Sequence, residues 1–277
     1  MNKGVVSVLV AYLIWGLYPF YFHAMQHVAP AEIVIHRVLW TFALLAVYLF
    51  CSRRWRWIQK AVTDRRTVAV FLMSSVLITA NWSTYTYAIV TNQTLEASLG
   101  YFMNPLVSVL LGTVFLKEKL NKAQMLAIVF ACAGVMWVTF KQGEFPALGL
   151  TLALSFGFYG LVRKMAPLGS LEGLTLETAF AFPVALLATF YFAGNGDLTF
   201  VHGTSWDKFW LIMAGPITTI PLILFAYGLK QVPYSTVGFI QYLSPTMVFF
   251  IGLFFFGEEL QVDRLIGFIL IWAGVLI

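Results

Sequence analysis

The segment NPLVSVLLGTVFLKEKL, residues 104–120, occurs in a second version 140 residues later, SPTMVFFIGLFFFGEEL at residues 244–260. The same offset continues without a gap to residue 137, with eight identities in the 34 positions from 104. The identical pairs include Pro105 with Pro245, Gly112 with Gly252, and Glu118 with Glu258. Repeats on this scale reveal the architecture of a chain. The sequence therefore divides into two related halves, residues 1–140 and residues 141–277.

The composition indicates a membrane protein. Of the 277 residues, 60% are hydrophobic and 10% are charged, whereas a soluble domain carries about 25% charged residues. A membrane-spanning helix needs about 20 apolar residues. Ten segments approach that length: 4–26, 31–51, 67–90, 95–116, 122–140, 146–163, 171–193, 207–229, 234–256 and 262–277. The net charge of +5 does not indicate nucleic-acid binding, because the basic residues lie in short loops between these segments.

The distribution of basic residues predicts the topology. With the N-terminus inside, thirteen of the 17 lysines and arginines fall in inner loops, three fall outside and Arg37 lies within a span. Basic residues favour cytoplasmic loops, so this split predicts cytoplasmic termini. Five spans per half is an odd number, so the halves have opposite orientations. We therefore predict an all-α membrane protein of ten transmembrane helices, built as a 5+5 inverted-topology repeat.

Inverted repeats are a recurring design of secondary transporters. Two nearly equal halves of opposite orientation can exchange conformations, which gives inward-open and outward-open states of similar energy. The alternative interpretation is that the duplication only builds a stable bundle.

An arginine and a glutamate occupy equivalent positions within the predicted spans, because the offset carries Arg37 onto Glu177. Each charge costs at least about 2.5–3.5 kcal/mol in lipid, so both should face the protein interior and have a partner. The inverted topology separates them by roughly 10 Å along the membrane normal. A direct pair requires both side chains to reach towards the middle.

Alternatives remain open for the polar residues around Arg37. Arg37 lies in a central cavity, extends to the outer headgroups, or pairs with Glu32. Glu32 follows Pro30 and suits the first turn of a helix, near the outer interface. His36 is either a buried structural histidine or a proton relay. His36 and Glu177 are the candidates for proton coupling.

Prolines interrupt two equivalent spans, in GYFMNP (100–105) and IQYLSP (240–245). Each proline removes one helical hydrogen bond and frees the carbonyl of the residue four positions earlier, Tyr101 or Gln241. Equivalent kinks at Pro105 and Pro245 are therefore predicted. They are either static packing features or hinges that line a substrate path.

Aromatic and polar side chains in the third span, TANWSTYTY (79–87), suit a small organic ligand. Together with the groups above, they give one predicted substrate site between the halves, in which Arg37 holds a carboxylate or other electronegative group. Its residues are Arg37, Asn81, Trp82, Tyr85, Tyr101, Asn104, Glu177, Gln241 and Tyr242.

A membrane-embedded enzyme acting on a lipid-linked substrate is the second hypothesis. Such enzymes usually carry clustered aspartates for magnesium, and the sequence has no such cluster. His23 and His27 are four residues apart but have no further plausible ligands, and Cys51 and Cys132 form no metal motif. We predict no metal and no cofactor.

The chain resembles the EamA-type, RarD-like proteins of the drug/metabolite transporter superfamily over essentially its whole length. The resemblance rests on AYLIWGLYPFYF, PAEIVIHRVLW, LEASLGYFMNPLVSVLLG, SFGFYGLVRK and GFIQYLSPTMVFF, in order and with the family's spacing. It implies ten transmembrane helices, an inverted repeat, the bacterial inner membrane and secondary transport, usually export. The substrate it implies is a small organic metabolite, amino-acid-like or otherwise polar, or a drug. The partners expected are this substrate, the bilayer and protons as a candidate coupling ion.

Overall fold

The computed structural model describes residues 2–90, 94–142, 146–257 and 262–276, and the regular structure within these ranges is helical. The helices are α1 (Lys3–Gly16), α2 (Tyr18–Ala24), α3 (Pro30–Ser52), α4 (Arg56–Thr63), α5 (Arg65–Val90), α6 (Thr94–Phe115), α7 (Lys122–Gln142), α8 (Ala147–Met165), α9 (Ser170–Gly194), α10 (Thr199–His202), α11 (Ser205–Leu229), α12 (Tyr234–Gln241), α13 (Leu243–Phe255) and α14 (Val262–Leu276).

Each of the ten predicted apolar segments coincides with one helix or with two consecutive helices. The first segment is divided into α1 and α2 at Leu17, and the ninth into α12 and α13 at Tyr242. Within the described ranges, seven helical stretches are long and apolar enough to cross a membrane. The prediction of an all-helical chain is confirmed, while ten spans and cytoplasmic termini stay predictions.

Two short helices, α4 and α10, were not predicted. The 140-residue offset carries α4 onto residues 196–203, which contain α10. The helices that follow them, α5 and α11, begin with related caps. Asp64 accepts a hydrogen bond from the Thr67 amide (3.1 Å), and Thr204 accepts one from the Asp207 amide (3.2 Å). The offset aligns Asp64 with Thr204 and Thr67 with Asp207. In α5 the carboxylate comes first and the hydroxyl three residues later, and in α11 this order is reversed.

The packing of the long helices follows the same correspondence. Helix α1 packs on α11, and their counterparts α8 and α5 pack on each other; α6 packs on α8 as α13 packs on α1. Three further contacts, α3 with α9, α6 with α12 and α7 with α14, join a helix to its own counterpart. Each of these contacts therefore has an equivalent when the halves are exchanged.

A close approach of α3 and α11 positions the candidate site. A β-carbon added to Gly215 would lie 2.7 Å from the main-chain carbonyl carbon of Trp40, so a larger residue does not fit without a shift. Small residues permit such contacts between membrane helices. Arg37 precedes Trp40 by about one turn and Thr218 follows Gly215 by about one turn, so this contact brings Arg37 and Thr218 together.

A glutamate joins the halves near the end of α6. Glu118 accepts hydrogen bonds from the Tyr234 amide (2.6 Å) and the Ser235 amide (2.8 Å), the first two amides of α12. A carboxylate here satisfies unpaired N–H groups and the positive end of the helix dipole. Its aligned residue, Glu258, lies outside the described residues.

Candidate functional site

Arg37 is buried in the bundle, with 8% of its surface exposed. Its Nε atom donates a hydrogen bond to Thr218 Oγ1 (3.0 Å). Its guanidinium carbon lies 4.2 Å from the centre of the Trp82 ring and 6.0 Å from the centre of the Tyr18 ring. These are cation–π distances. Arg37 therefore lies against protein rather than extending to the outer headgroups.

No carboxylate in the described part of the chain lies within ion-pair distance of Arg37. A guanidinium has five N–H donors, and in hydrogen-bonding geometry only Nε has an acceptor among the described residues. The two terminal nitrogens have no acceptor in this geometry in the described part of the chain, and neither of them is fully buried. They are therefore accessible donors, and the interpretation that Arg37 pairs with Glu32 was wrong.

Two tyrosines extend this aromatic surface. The Tyr85 ring lies 5.9 Å from the Tyr101 ring, centre to centre, and both hydroxyls lie within electrostatic range of Arg37. Trp82 and Tyr85 are three residues apart and share a face of α5. Tyr101 is 42% exposed, so protein leaves one side of its ring uncovered. We call this group the Arg37 cage: Tyr18, Arg37, Trp82, Tyr85, Tyr101 and Thr218.

Glu177 belongs to a separate buried cluster. It is 1% exposed, and its Oε1 atom lies 3.3 Å from Nε of Arg163, which is also 1% exposed. Ser74 donates a hydrogen bond to Oε1, and the Tyr159 hydroxyl donates one to Oε2 (3.3 Å). The charge count had placed Arg163 in a cytoplasmic loop; the structure makes it the partner of Glu177.

A direct Arg37–Glu177 pair is not formed. Both residues contact α5, Arg37 through Trp82 and Glu177 through Ser74. These α5 residues are eight positions apart, which corresponds to about 12 Å along the helix. Arg37 and Glu177 therefore make separate contacts, and their membership of one substrate site stays a prediction.

Gln241 and Asn104 lie at a second polar cluster. The Ser108 hydroxyl is 3.1 Å from Gln241 Oε1 and 3.3 Å from the Tyr234 hydroxyl, which donates to the Gly157 carbonyl (2.6 Å). Asn104 is one turn from Ser108 on the same face of α6. Asn104 Oδ1 and Gln241 Nε2 are buried without a partner.

Asn81 and Tyr242 make their contacts away from the cage. The Asn81 amide nitrogen donates to the Leu152 carbonyl and the Ser155 hydroxyl, both at 3.0 Å, and so connects α5 to α8. Tyr242 packs in an apolar cluster with Phe102 and other residues. Their assignment to one common site with Arg37 has no support in these contacts.

His36 is 4% exposed and faces away from the cage. Its Nδ1 atom accepts a hydrogen bond from Trp40 Nε1 (2.9 Å), and its Nε2 atom lies 3.8 Å from Glu32. Glu32, expected as an interfacial charge, is buried and accepts hydrogen bonds from the Thr199 amide (3.0 Å) and the Phe200 amide (2.7 Å). Glu32 therefore holds α10 against α3.

The two prolines differ in their local structure. Helix α6 is continuous through Pro105, whereas the helix before Pro245 ends at Gln241 and resumes at Leu243. The equivalent kinks predicted from the repeat thus correspond to a helix break in the second half only. Their role as hinges stays a prediction.

The sequence profile of the EamA-like transporter family matches the chain twice, at residues 2–140 and residues 146–277. The chain belongs to the EamA-like transporter family. Among its relatives, Uncharacterized transporter YojE of Bacillus subtilis is 40% identical, over 100% of this chain and 93% of that protein. Protein RarD of Escherichia coli is 36% identical over the same shares of the two chains.

A more distant relative and a solved structure also match the chain over almost its whole length. Chloramphenicol-sensitive protein RarD of Pseudomonas aeruginosa is 27% identical, over 100% of this chain and 93% of that protein. A crystal structure with 14% identity superposes with a TM-score of 0.71, over 99% of this chain and 97% of the other; this likeness concerns the fold alone. This EamA-like protein is thus a RarD-like, multi-pass membrane transporter of the drug/metabolite transporter type.

Proposed function

We propose that the protein is a secondary active transporter of the bacterial inner membrane, which exports a small organic metabolite or drug bearing a carboxylate or similar anionic group. The observation that carries this proposal is the accessible, unpaired guanidinium of Arg37 inside an aromatic cage. A buried charge without a counter-ion is costly, and ionisable groups within membrane spans mark substrate or ion pathways. A bound anion supplies the missing counter-ion.

The cage suits an organic anion better than an inorganic one. The guanidinium offers parallel N–H donors that match the geometry of a carboxylate. Tyr85 and Tyr101 extend the surface away from the charge with ring faces and edges, which favour apolar and aromatic groups. A substrate with one anionic end and an organic body therefore uses both parts of the cage.

The repeat supplies a means of transport. We infer ten spans in a 5+5 inverted arrangement, with cytoplasmic termini and the cage between the halves. Support comes from the exchanged cap of Asp64 and Thr204 and from helix contacts that recur when the halves are exchanged. The two family matches point the same way. Such halves can rock about a fixed site and expose it to each side in turn.

Glu177 is our proposed coupling group. Protonation of this carboxylate would remove the charge that neutralises Arg163 and would weaken a contact that joins α8 and α9. Ser74 donates to the same carboxylate from α5, which also carries Trp82 of the cage. Protonation of Glu177 can therefore alter the position of Trp82 in the cage, because α5 carries both Ser74 and Trp82.

Transport in proteoliposomes tests the proposal. Purified protein is reconstituted, and uptake of radiolabelled amino acids and aromatic carboxylates is measured with and without a proton gradient. Saturable, gradient-dependent flux is expected for a carboxylate. Arg37→Gln should abolish this flux at unchanged reconstitution. Arg54→Gln, which changes an exposed cation, is the control. Equal flux in the Arg37 variant and the wild type would remove Arg37 from the substrate site.

A further inference from the structure

Resting on the proposed function, we propose that the Arg37 cage and the polar cluster at Gln241 are opposite ends of one elongated binding chamber. The chamber takes organic anions that have a single carboxylate and a neutral hydrogen-bonding group at the far end. We call the second end the Gln241 cluster, which consists of Tyr12, Asn104, Ser108 and Gln241.

The α1–α2 segment connects the two ends. The Tyr12 hydroxyl lies beside Gln241, and the Tyr12 ring packs edge to face on Trp15, with centres 4.9 Å apart. Trp15 lies beside Tyr18, whose ring faces Arg37. Tyr12 and Tyr18 are six residues apart, so this wall is about 9 Å long.

Helix α6 connects the same two ends along a second wall. Tyr101 contacts Tyr85 of the cage, and Ser108 contacts Gln241. Asn104 lies between them, three residues after Tyr101 and four before Ser108, on one face of the helix. The distance from Tyr101 to Ser108 along α6 is about 10 Å, which agrees with the length of the other wall.

The Gln241 cluster has unused hydrogen-bonding capacity. The Tyr12 hydroxyl, Asn104 Oδ1 and Gln241 Nε2 are buried without a partner in hydrogen-bonding geometry, and their side chains are at least nine-tenths buried. Together they offer donors and an acceptor. Buried polar groups normally have partners, so these atoms mark the position of a polar group of the ligand.

Charge distinguishes the two ends. The four residues of the Gln241 cluster are neutral, and no ion pair in the described residues involves them. A second carboxylate placed there would lose its hydration without a counter-ion, whereas a hydroxyl or an amide would satisfy the unpaired atoms. The chamber should therefore accept a monoanion with a neutral polar end and reject a dianion.

Calorimetric titration of the protein in nanodiscs tests this selectivity with three probes: 3-phenylpropionate, 3-(4-hydroxyphenyl)propionate and 3-(4-carboxyphenyl)propionate. We expect the hydroxyl to strengthen binding about 2- to 12-fold over 3-phenylpropionate, the range for one hydrogen bond. The dicarboxylate should bind more weakly than both. In Gln241→Leu, the preference for the hydroxyl over 3-phenylpropionate should disappear.

Two further variants separate the possible failures. Tyr12→Phe removes only the hydroxyl beside Gln241 and should also reduce the preference, which keeps the test decisive if Gln241→Leu does not fold. Arg37→Gln should weaken all three probes alike. If it weakens none, the substrate site itself is wrong. If it weakens all three but the hydroxyl gives no advantage, or the advantage survives both Gln241→Leu and Tyr12→Phe, the two-ended chamber is wrong.

Discussion

The buried pair of Arg163 and Glu177 predicts a large, non-additive loss of stability. Both side chains are 1% exposed, so solvent does not screen their interaction as it does at a surface. Glu177→Gln should retain an acceptor for Ser74 but leave the Arg163 charge uncompensated. Removing one partner of a buried pair costs about 3–5 kcal/mol, and we expect this loss in the free energy of unfolding. Arg163→Met should cost a similar amount, because it leaves the carboxylate alone.

The double variant, Arg163→Met with Glu177→Gln, should regain much of the loss, since it buries no unpaired charge. The assay is equilibrium unfolding in mixed micelles, analysed as a double-mutant cycle. We expect a coupling energy of about 2 kcal/mol or more, within the upper range for residues in contact. Arg54→Met, at an exposed position, should have little effect. Additive losses, or single losses below about 1 kcal/mol, would refute the pairing.

Three further predictions concern other contacts. Gly215→Ala should lower the free energy of unfolding by about 1–3 kcal/mol, because the added methyl group pushes α3 away from α11. Gly194→Ala is the control and should cost much less, since a methyl group there meets nothing within 4 Å. Equal losses in the two variants would contradict the close approach of α3 and α11. Glu118→Gln should speed hydrogen exchange at the first two amides of α12, because these amides donate to the Glu118 carboxylate. The control Lys119→Ala should leave their exchange rates unchanged. Unchanged rates in Glu118→Gln would mean that this cap does not stabilise α12. Trp82→Leu should weaken 3-phenylpropionate binding about 2- to 30-fold by removing the ring beneath the guanidinium, and unchanged calorimetric affinity would exclude that contact.

The positions of the helices could be predicted because each apolar segment is long and ends at a polar loop. Breaks within segments were harder to predict. The break at Leu17 lies two residues before Pro19, and the break at Tyr242 lies three before Pro245, whereas α6 runs through Pro105. Each of these prolines lacks an N–H and so cannot donate to the carbonyl four residues earlier. Whether the helix then bends or breaks depends on its neighbours, which the sequence does not reveal.

The candidate site was predicted in part. Hydropathy singled out Arg37, because a charge inside an apolar segment stands out, and the unusual aromatic and polar content of the third span singled out Trp82 and Tyr85. The repeat offset identified Glu177 as the counterpart of Arg37, but equivalent positions need not be adjacent. Arg163 was missed because a basic residue near the end of a span looks the same in sequence whether it faces water or a buried carboxylate.

Accessibility of the cage from both sides of the membrane tests the central claim most directly. Cys51 and Cys132, which form no disulfide in the structure, are replaced by serine, and a single cysteine is introduced by Tyr101→Cys. A membrane-impermeant thiol reagent is applied to right-side-out and inside-out vesicles. Alternating access predicts labelling from both sides, with 3-phenylpropionate slowing both reactions through Arg37. Labelling from one side only, or rates that the ligand does not change, would contradict a substrate site that opens to each side in turn.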